Sequence, residues 1–206
     1  MASQRGKRKL EVPHAPPRKP RILRAACGCL AADQFALLCK YFLEWAEVKA
    51  VITRAARKFV KATDIPNTVP VYTDEYEWFI WKRLGEPVLH IDLANWAEIL
   101  VISPLSAETL SEIVAGFSDN LLTCIDSIVR AWDYSKPMFV ATSMNTLMWK
   151  NPFSEWHCIA IDDLGINLVP PPSGQHNAAE MADPPLIYST VRLSYDSKMK
   201  KGQGAV

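Results

Sequence analysis

No stretch of this chain approaches the roughly 18 uninterrupted apolar residues that a membrane-spanning helix needs, and no apolar run precedes Ile22. The expectation is a chain with neither a secretory signal nor a membrane anchor. Glycine is sparse at 8 residues, and the net charge is only +1. No internal repeat is visible. Bulk charge therefore points to no partner, whether nucleic acid or an anionic surface. Cysteine is odd in number: Cys27, Cys29, Cys39, Cys124 and Cys158. Without a signal, these are expected to be reduced thiols in the cytoplasm. Cys27-Gly28-Cys29 resembles half a metal site, but no second Cys or His pair completes it, and no metal is expected.

What is present suits one soluble domain. The 206 residues are 49% hydrophobic and 22% charged, enough for a core that needs no disulfide. Charge is unevenly placed. The first two dozen residues carry Arg5, Lys7, Arg8, Lys9, Arg18, Lys19, Arg21 and Arg24 against one acid, Glu11, with Pro13, Pro16, Pro17 and Pro20 among them. Such a segment buries too little apolar surface to order itself. Residues 1–19 are thus expected as a disordered basic tail, 20–196 as the domain and 197–206 as a second tail. Lys7-Arg8-Lys9 is either a nuclear address or, more plainly, a solubilising run.

Apolar runs alternate with helical spacings. Strands are expected at Arg21–Ala26, Val48–Ile52, Asn67–Tyr72, Ile99–Ile102, Met138–Ala141 and Asn167–Val169. Helices are expected at Ala31–Glu44, Thr53–Phe59, Glu75–Arg83, His90–Trp96, Ala107–Val114, Asn120–Ala131, Asn145–Trp149, Phe153–Asp162 and Leu186–Tyr195. Continuous apolar strands between helices mean a parallel sheet covered on both faces. Right-handed crossovers then give an α/β fold, a three-layer doubly wound parallel sheet. Ligands of such sheets sit outside the carboxyl ends of the strands. That rule selects the loops Cys27–Ala31, Thr53–Ala56, Ser103–Thr109 and Thr142–Asn145.

Gly28 lies between a strand and a helix, where a glycine lets backbone approach a phosphate and the helix start supplies free N–H groups. A tight turn would also require it. Thr53 and Ser106 add hydroxyls at two other strand ends, although each also reads as a helix cap. Together the loops suit an anion or mononucleotide. His90 can titrate near neutrality and suits proton transfer, or it is simply structural.

Nine runs carry a more specific signal. They are KPRIL (19–23), EWAEVKAV (44–51), YTDEYEW (72–78), PVLHIDL (87–93), PLSAET (104–109), DNLLTC (119–124), VRAWDYSKP (129–137), MNTLMW (144–149) and LIYSTVRL (186–193). In this order they resemble the plant-type phosphopantothenoylcysteine decarboxylases, also described as halotolerance flavoproteins, of the flavin-dependent cysteine decarboxylase family. The resemblance implies a flavodoxin-like fold, a homotrimer, and flavin mononucleotide (FMN) near subunit interfaces. It implies decarboxylation of 4'-phosphopantothenoylcysteine to 4'-phosphopantetheine in coenzyme A synthesis. In that reaction the cysteinyl side chain is oxidised to a thioaldehyde, the carboxylate is lost, and the resulting enethiol is reduced. The difficult redox chemistry belongs to the cofactor.

By resemblance, His90 matches the active-site histidine and Asn145 the asparagine that holds the substrate carboxylate. Gly28, Cys29, Leu30, Ala31, Thr53, Arg54, Ala55, Ser106, Ala107, Glu108, Thr109 and Ser143 match flavin-binding positions. Membrane and nucleic acid are not expected as partners.

The chain also departs from the family pattern. Cys27-Gly28-Cys29 stands where the family has Ser-Gly-Ser, and Ala55 replaces a serine. Glu108 replaces an asparagine, so it either faces the flavin phosphate unfavourably or turns to solvent at a helix start. An insertion near Asp126-Ser127-Ile128 lengthens one helix or its end. The flap at 173–181 contains no cysteine, where the family has one that supplies a proton; His176 is the nearby group that titrates near neutrality. Two expectations follow. One is an FMN-dependent decarboxylase, either complete or halted at the enethiol for want of the flap cysteine. The other is a non-catalytic paralogue acting as partner subunit in a mixed trimer.

Overall fold

The computed structural model describes residues 18–126, 132–133, 135–171 and 180–203. Six strands form one sheet: β1 (Arg21–Ala26), β2 (Glu47–Ile52), β3 (Val71–Tyr72), β4 (Ile99–Leu105), β5 (Met138–Thr142) and β6 (Asn167–Leu168). Their order is β3-β2-β1-β4-β5-β6 and every pairing is parallel. The chain winds outward from β1 through β2 to β3, then returns to lay β4 on the other side of β1. The β1/β4 junction is therefore the topological switch point.

Among the described residues, eight α-helices accompany the sheet: α1 (Phe35–Leu43), α2 (Asp74–Ile80), α3 (Leu89–Trp96), α4 (Ala107–Ala115), α5 (Leu121–Asp126), α6 (Thr146–Trp149), α7 (Pro152–Asp163) and α8 (Pro184–Gln203). Alternation along β1 shows why two faces are needed. Ile22 and Ala26 join Phe35, Leu38 and Phe42 of α1 and Ile187 and Val191 of α8. Leu23 and Ala25 join Leu93 of α3, Leu110 of α4, Leu121 of α5 and Ile161 of α7. Successive strand residues point to opposite faces, and both faces are dry. This is the expected three-layer fold.

The central β1 also carries a charge. Arg24 is fully buried, and it donates to the carbonyl of Val101 at 3.2 Å, the carbonyl of Ser103 at 3.0 Å and the Ser103 hydroxyl. Its guanidinium lies 5.0 Å from the Phe35 ring centre and 5.5 Å from that of Phe42. Burial pulls its pKa down to about 10, with Cys39 opposing. These contacts tie the end of β4, and so the loop after it, to β1.

Several boundaries differ from expectation. The first helix opens with a 3-10 turn, Leu30–Gln34, before α1. The segment expected as a helix from Thr53 to Phe59 contains only a 3-10 turn, Ala56–Lys58. The third strand is limited to two residues: residues 66–69 turn, with Val69 N–H on the Pro66 carbonyl at 2.9 Å, and Pro70 has no ladder donor. Helix α2 stops at Ile80, short of the expected Arg83. Helix α8 runs on to Gln203, past the expected Tyr195, so 197–203 is helical, not tail. Lysine and methionine are good helix formers, and Arg192 pairs with Asp196 one turn on at 3.0 Å. Arg18 also belongs to the folded body through its ion pair with Glu98. The expectations for residues 1–17, the insertion at 127–128 and the flap with His176 lie outside the described residues.

Candidate functional site: four strand ends and a histidine cavity

The four loops selected by the sheet rule meet at the carboxyl edge. Three backbone hydrogen bonds stitch them side by side: Thr53 N–H to Ala26 at 3.1 Å, Cys27 N–H to Pro104 at 3.0 Å, and Ser143 N–H to Leu105 at 2.9 Å. Each uses an edge group that the strand ladder leaves over. Gly28, Thr53, Ser106 and Ser143 are thereby gathered around the switch point.

Gly28 has a steric reason to be glycine. A Cβ there would sit 2.3 Å from Ala55 Cβ and 2.9 Å from the Ala55 carbonyl carbon. No real side chain tolerates such a contact, so the first and second loops touch through a missing side chain. Just after it, the Cys29 N–H turns back to the Cys27 carbonyl at 3.0 Å. Burial pushes the Cys29 thiol up to about 12; Cys27 adds to the rise and a hydrogen bond with Ser143 opposes it. Cys29 is therefore a neutral thiol at physiological pH.

The hydroxyl positions also act as caps. Thr53 Oγ1 accepts from Ala56 N–H at 3.3 Å. Ser106 Oγ caps α4 by accepting from Thr109 N–H at 3.2 Å, and it donates to Thr109 Oγ1 at 3.2 Å. Leu30, Arg54, Ala55 and Glu108 are exposed, and Ala31 and Thr109 are buried. Glu108 lies one turn before Glu112, whose carboxyl is raised by burial first, then by Asp119 and Glu108. Asn145 caps α6, its Oδ1 accepting from Met148 N–H at 2.9 Å. Its Nδ2 is a double N–H donor, the kind of group a carboxylate accepts from.

His90 occupies a different place. It is the second residue of α3, and its Nδ1 lies 2.8 Å from Glu77 Oε1. The same oxygen accepts the His90 backbone N–H at 3.2 Å. Glu77 is buried on α2 and His90 is about a quarter exposed. His90 and Glu77 share a cavity of about 390 Å³ with Trp78, Trp81, Asn120 and Cys124 among its walls. None of the strand-end residues named above lines it. The expected flavin positions thus lie at the sheet's carboxyl edge, and the walls of the His90 cavity are made by other residues.

Sequence reasoning missed Glu77. It is thirteen residues from His90, inside an acidic and aromatic run that reads as a solvated helix face. Only the YTDEYEW match touched it, and no role came with that match.

Comparison with known proteins places this scaffold. The Flavoprotein family matches residues 12–194. This chain belongs to the flavoprotein family, in its plant-type phosphopantothenoylcysteine decarboxylase branch. A phosphopantothenoylcysteine decarboxylase HAL3a of Glycine max is 56% identical over 197 residues, spanning 93% of this chain and 92% of the relative. One from Arabidopsis thaliana is 51% identical over 206 residues, spanning 98% and 97%. Among solved structures, the FMN binding protein AtHal3 superposes with a TM-score of 0.83 at 54% identity, covering 87% of this chain and 98% of that one. A PPC decarboxylase variant with a cysteine-to-serine change, complexed with pantothenoylaminoethenethiol, gives 0.81 at 53%, covering 87% and 100%.

Proposed function

We propose that this protein is an FMN-dependent decarboxylase that converts 4'-phosphopantothenoylcysteine toward 4'-phosphopantetheine in coenzyme A synthesis. The carrying observation is the match over nearly the whole chain to decarboxylases 51–56% identical. The cradle fits the cofactor. A phosphate suits the start of α4, where free N–H groups and the helix dipole favour an anion, beside the hydroxyls of Ser106, Thr53 and Ser143. Glu108, exposed in the first turn of α4, sits where an acid favours the helix start.

When bound, FMN supplies two-electron oxidation of the substrate's cysteinyl side chain. The protein's own groups do the rest. Asn145 Nδ2 holds the substrate carboxylate, which fixes the bond to be broken. Ser106, Thr53 and the first loop orient the cofactor. His90 moves the proton, as an imidazole within hydrogen-bond reach of substrate can.

Oligomerisation joins the two halves. His90 and the cradle share no cavity wall in the residues named above, and Trp78 on the His90 cavity wall, with Phe79 and Leu84 of the same chain segment, is widely exposed at 70%, 70% and 94% in turn. A trimer in which one protomer's histidine serves its neighbour's cradle covers that apolar surface.

A second reading is favoured by the flap sequence, in which 173–181 holds no cysteine. Here the protein is a partner subunit in a mixed trimer, or its reaction stops at the enethiol. Spectroscopy and mass analysis separate these readings. The purified protein is expected to show oxidised-flavin absorbance and to lose carbon dioxide from the substrate. A colourless protein that takes up no added FMN would exclude the decarboxylase.

A further inference from the structure

We infer that Glu77 is a positioning residue for His90: it fixes the imidazole in the tautomer with Nδ1 protonated and leaves Nε2 as the proton-accepting atom. The inference rests on the reading of His90 as the proton-handling group.

The argument starts from one oxygen. Glu77 Oε1 faces two nitrogens, the His90 ring Nδ1 at 2.8 Å and the His90 backbone nitrogen at 3.2 Å. The backbone nitrogen always donates. An ionised carboxylate only accepts, so the ring nitrogen must donate as well. A neutral imidazole carries one N–H. With that hydrogen on Nδ1, the lone pair sits on Nε2.

The surroundings sharpen the role. His90 lies in the first turn of α3, where the helix dipole disfavours a positive charge. An imidazolium formed there needs a compensating anion. Glu77 supplies it at charge-assisted hydrogen-bond distance, in a buried position where such contacts are strong. Cys124 shares the cavity wall but does not compete. Its thiol is pushed up by burial first, then by Glu77, Asp119 and Asp74, and remains neutral. Asp74 is engaged elsewhere, accepting from the Leu121 N–H.

Two substitutions separate the roles of Glu77. Glu77→Ala removes the acceptor, and the imidazole is expected to revert to the Nε2–H form. Glu77→Gln leaves an oxygen for both His90 donors, so the tautomer is expected to persist while the charge is lost. The probe is the nitrogen-15 shift pattern of His90 in the full-length protein, with turnover on 4'-phosphopantothenoylcysteine in parallel. Expected results are an Nδ1–H signature in the parent and in Glu77→Gln, and an Nε2–H signature in Glu77→Ala. Turnover should fall about 100-fold in Glu77→Ala and about tenfold in Glu77→Gln, with KM within about threefold of the parent. An Nε2–H signature in the parent, or Nδ1–H persisting in Glu77→Ala, overturns the assignment. Parental turnover in both variants also overturns it. Unchanged turnover in His90→Ala would instead sink the reading of His90, while the nitrogen shifts would still decide the tautomer.

Discussion

The strand-end cradle and the His90 face are built on opposite principles. The cradle is made mainly by backbone: three hydrogen bonds from loop N–H groups to neighbouring strand ends, a glycine pressed against Ala55, and a buried arginine behind it. The His90 face is open and made by side chains: one buried carboxylate, one imidazole and several exposed aromatics. The first kind of site holds a rigid group in one place. The second suits proton handling, and in the proposed trimer it is where a neighbouring protomer would dock. The difference implies that damage to the cradle should show in cofactor binding, whereas damage to the His90 face should show in turnover.

The largest effect that can break this comparison is predicted for Gly28→Val. Any Cβ at Gly28 overlaps Ala55, so the first two loops must part. The variant should purify without flavin and regain at most about a hundredth of the parental affinity in a reconstitution titration. Parental flavin affinity would show that Gly28 is not part of the cradle.

His90→Ala should do the reverse. Turnover should fall about 10²- to 10⁴-fold while flavin content stays parental. In the proposed trimer, co-expression with Gly28→Val should recover activity, because one protomer would bring an intact histidine and the other an intact cradle. No recovery in a co-purified mixture would argue for both halves working within one chain.

Next in size is Arg24→Met. It removes donors from the Val101 and Ser103 carbonyls, and buried acceptors left unpaired cost about 2–4 kcal/mol in total. Denaturant unfolding should report that loss, together with weaker flavin binding through the displaced end of β4. A variant as stable as the parent would mean that the buried charge contributes no net stability.

The smallest effect concerns Cys29. Its thiol is raised from the ordinary 9.0 to about 12 by burial. A group raised in this way stabilises the fold below its unfolded value and loses that contribution as pH climbs. The stability difference between the parent and Cys29→Ser should therefore be constant below pH 9.0 and shrink toward 12. Alkylation of the thiol at neutral pH should be slow.

The parts of the molecule differ in how legible they were. The central strands were readable because β1, β4 and β5 are dry on both faces, which makes them unbroken apolar runs, whereas the half-exposed edge strand β3 is far shorter than expected. The cradle was readable because a parallel sheet aligns its carboxyl ends, whatever the loops contain. Glu77 was not readable, since a carboxylate in an amphipathic run has no sequence mark separating a buried partner from a solvated one. The Gly28–Ala55 contact was half readable: the glycine was visible, but the neighbour that excludes a side chain was not. The continuation of α8 was missed because a basic run was read as tail, although its residues favour helix once packing has started it.

The most direct measurement is anaerobic release of carboxyl-labelled carbon dioxide from 4'-phosphopantothenoylcysteine by the flavin-loaded protein in a single turnover. The account predicts release matching the bound flavin, with the product's mass telling enethiol from thiol. No labelled carbon dioxide from a fully flavin-loaded protein would contradict it.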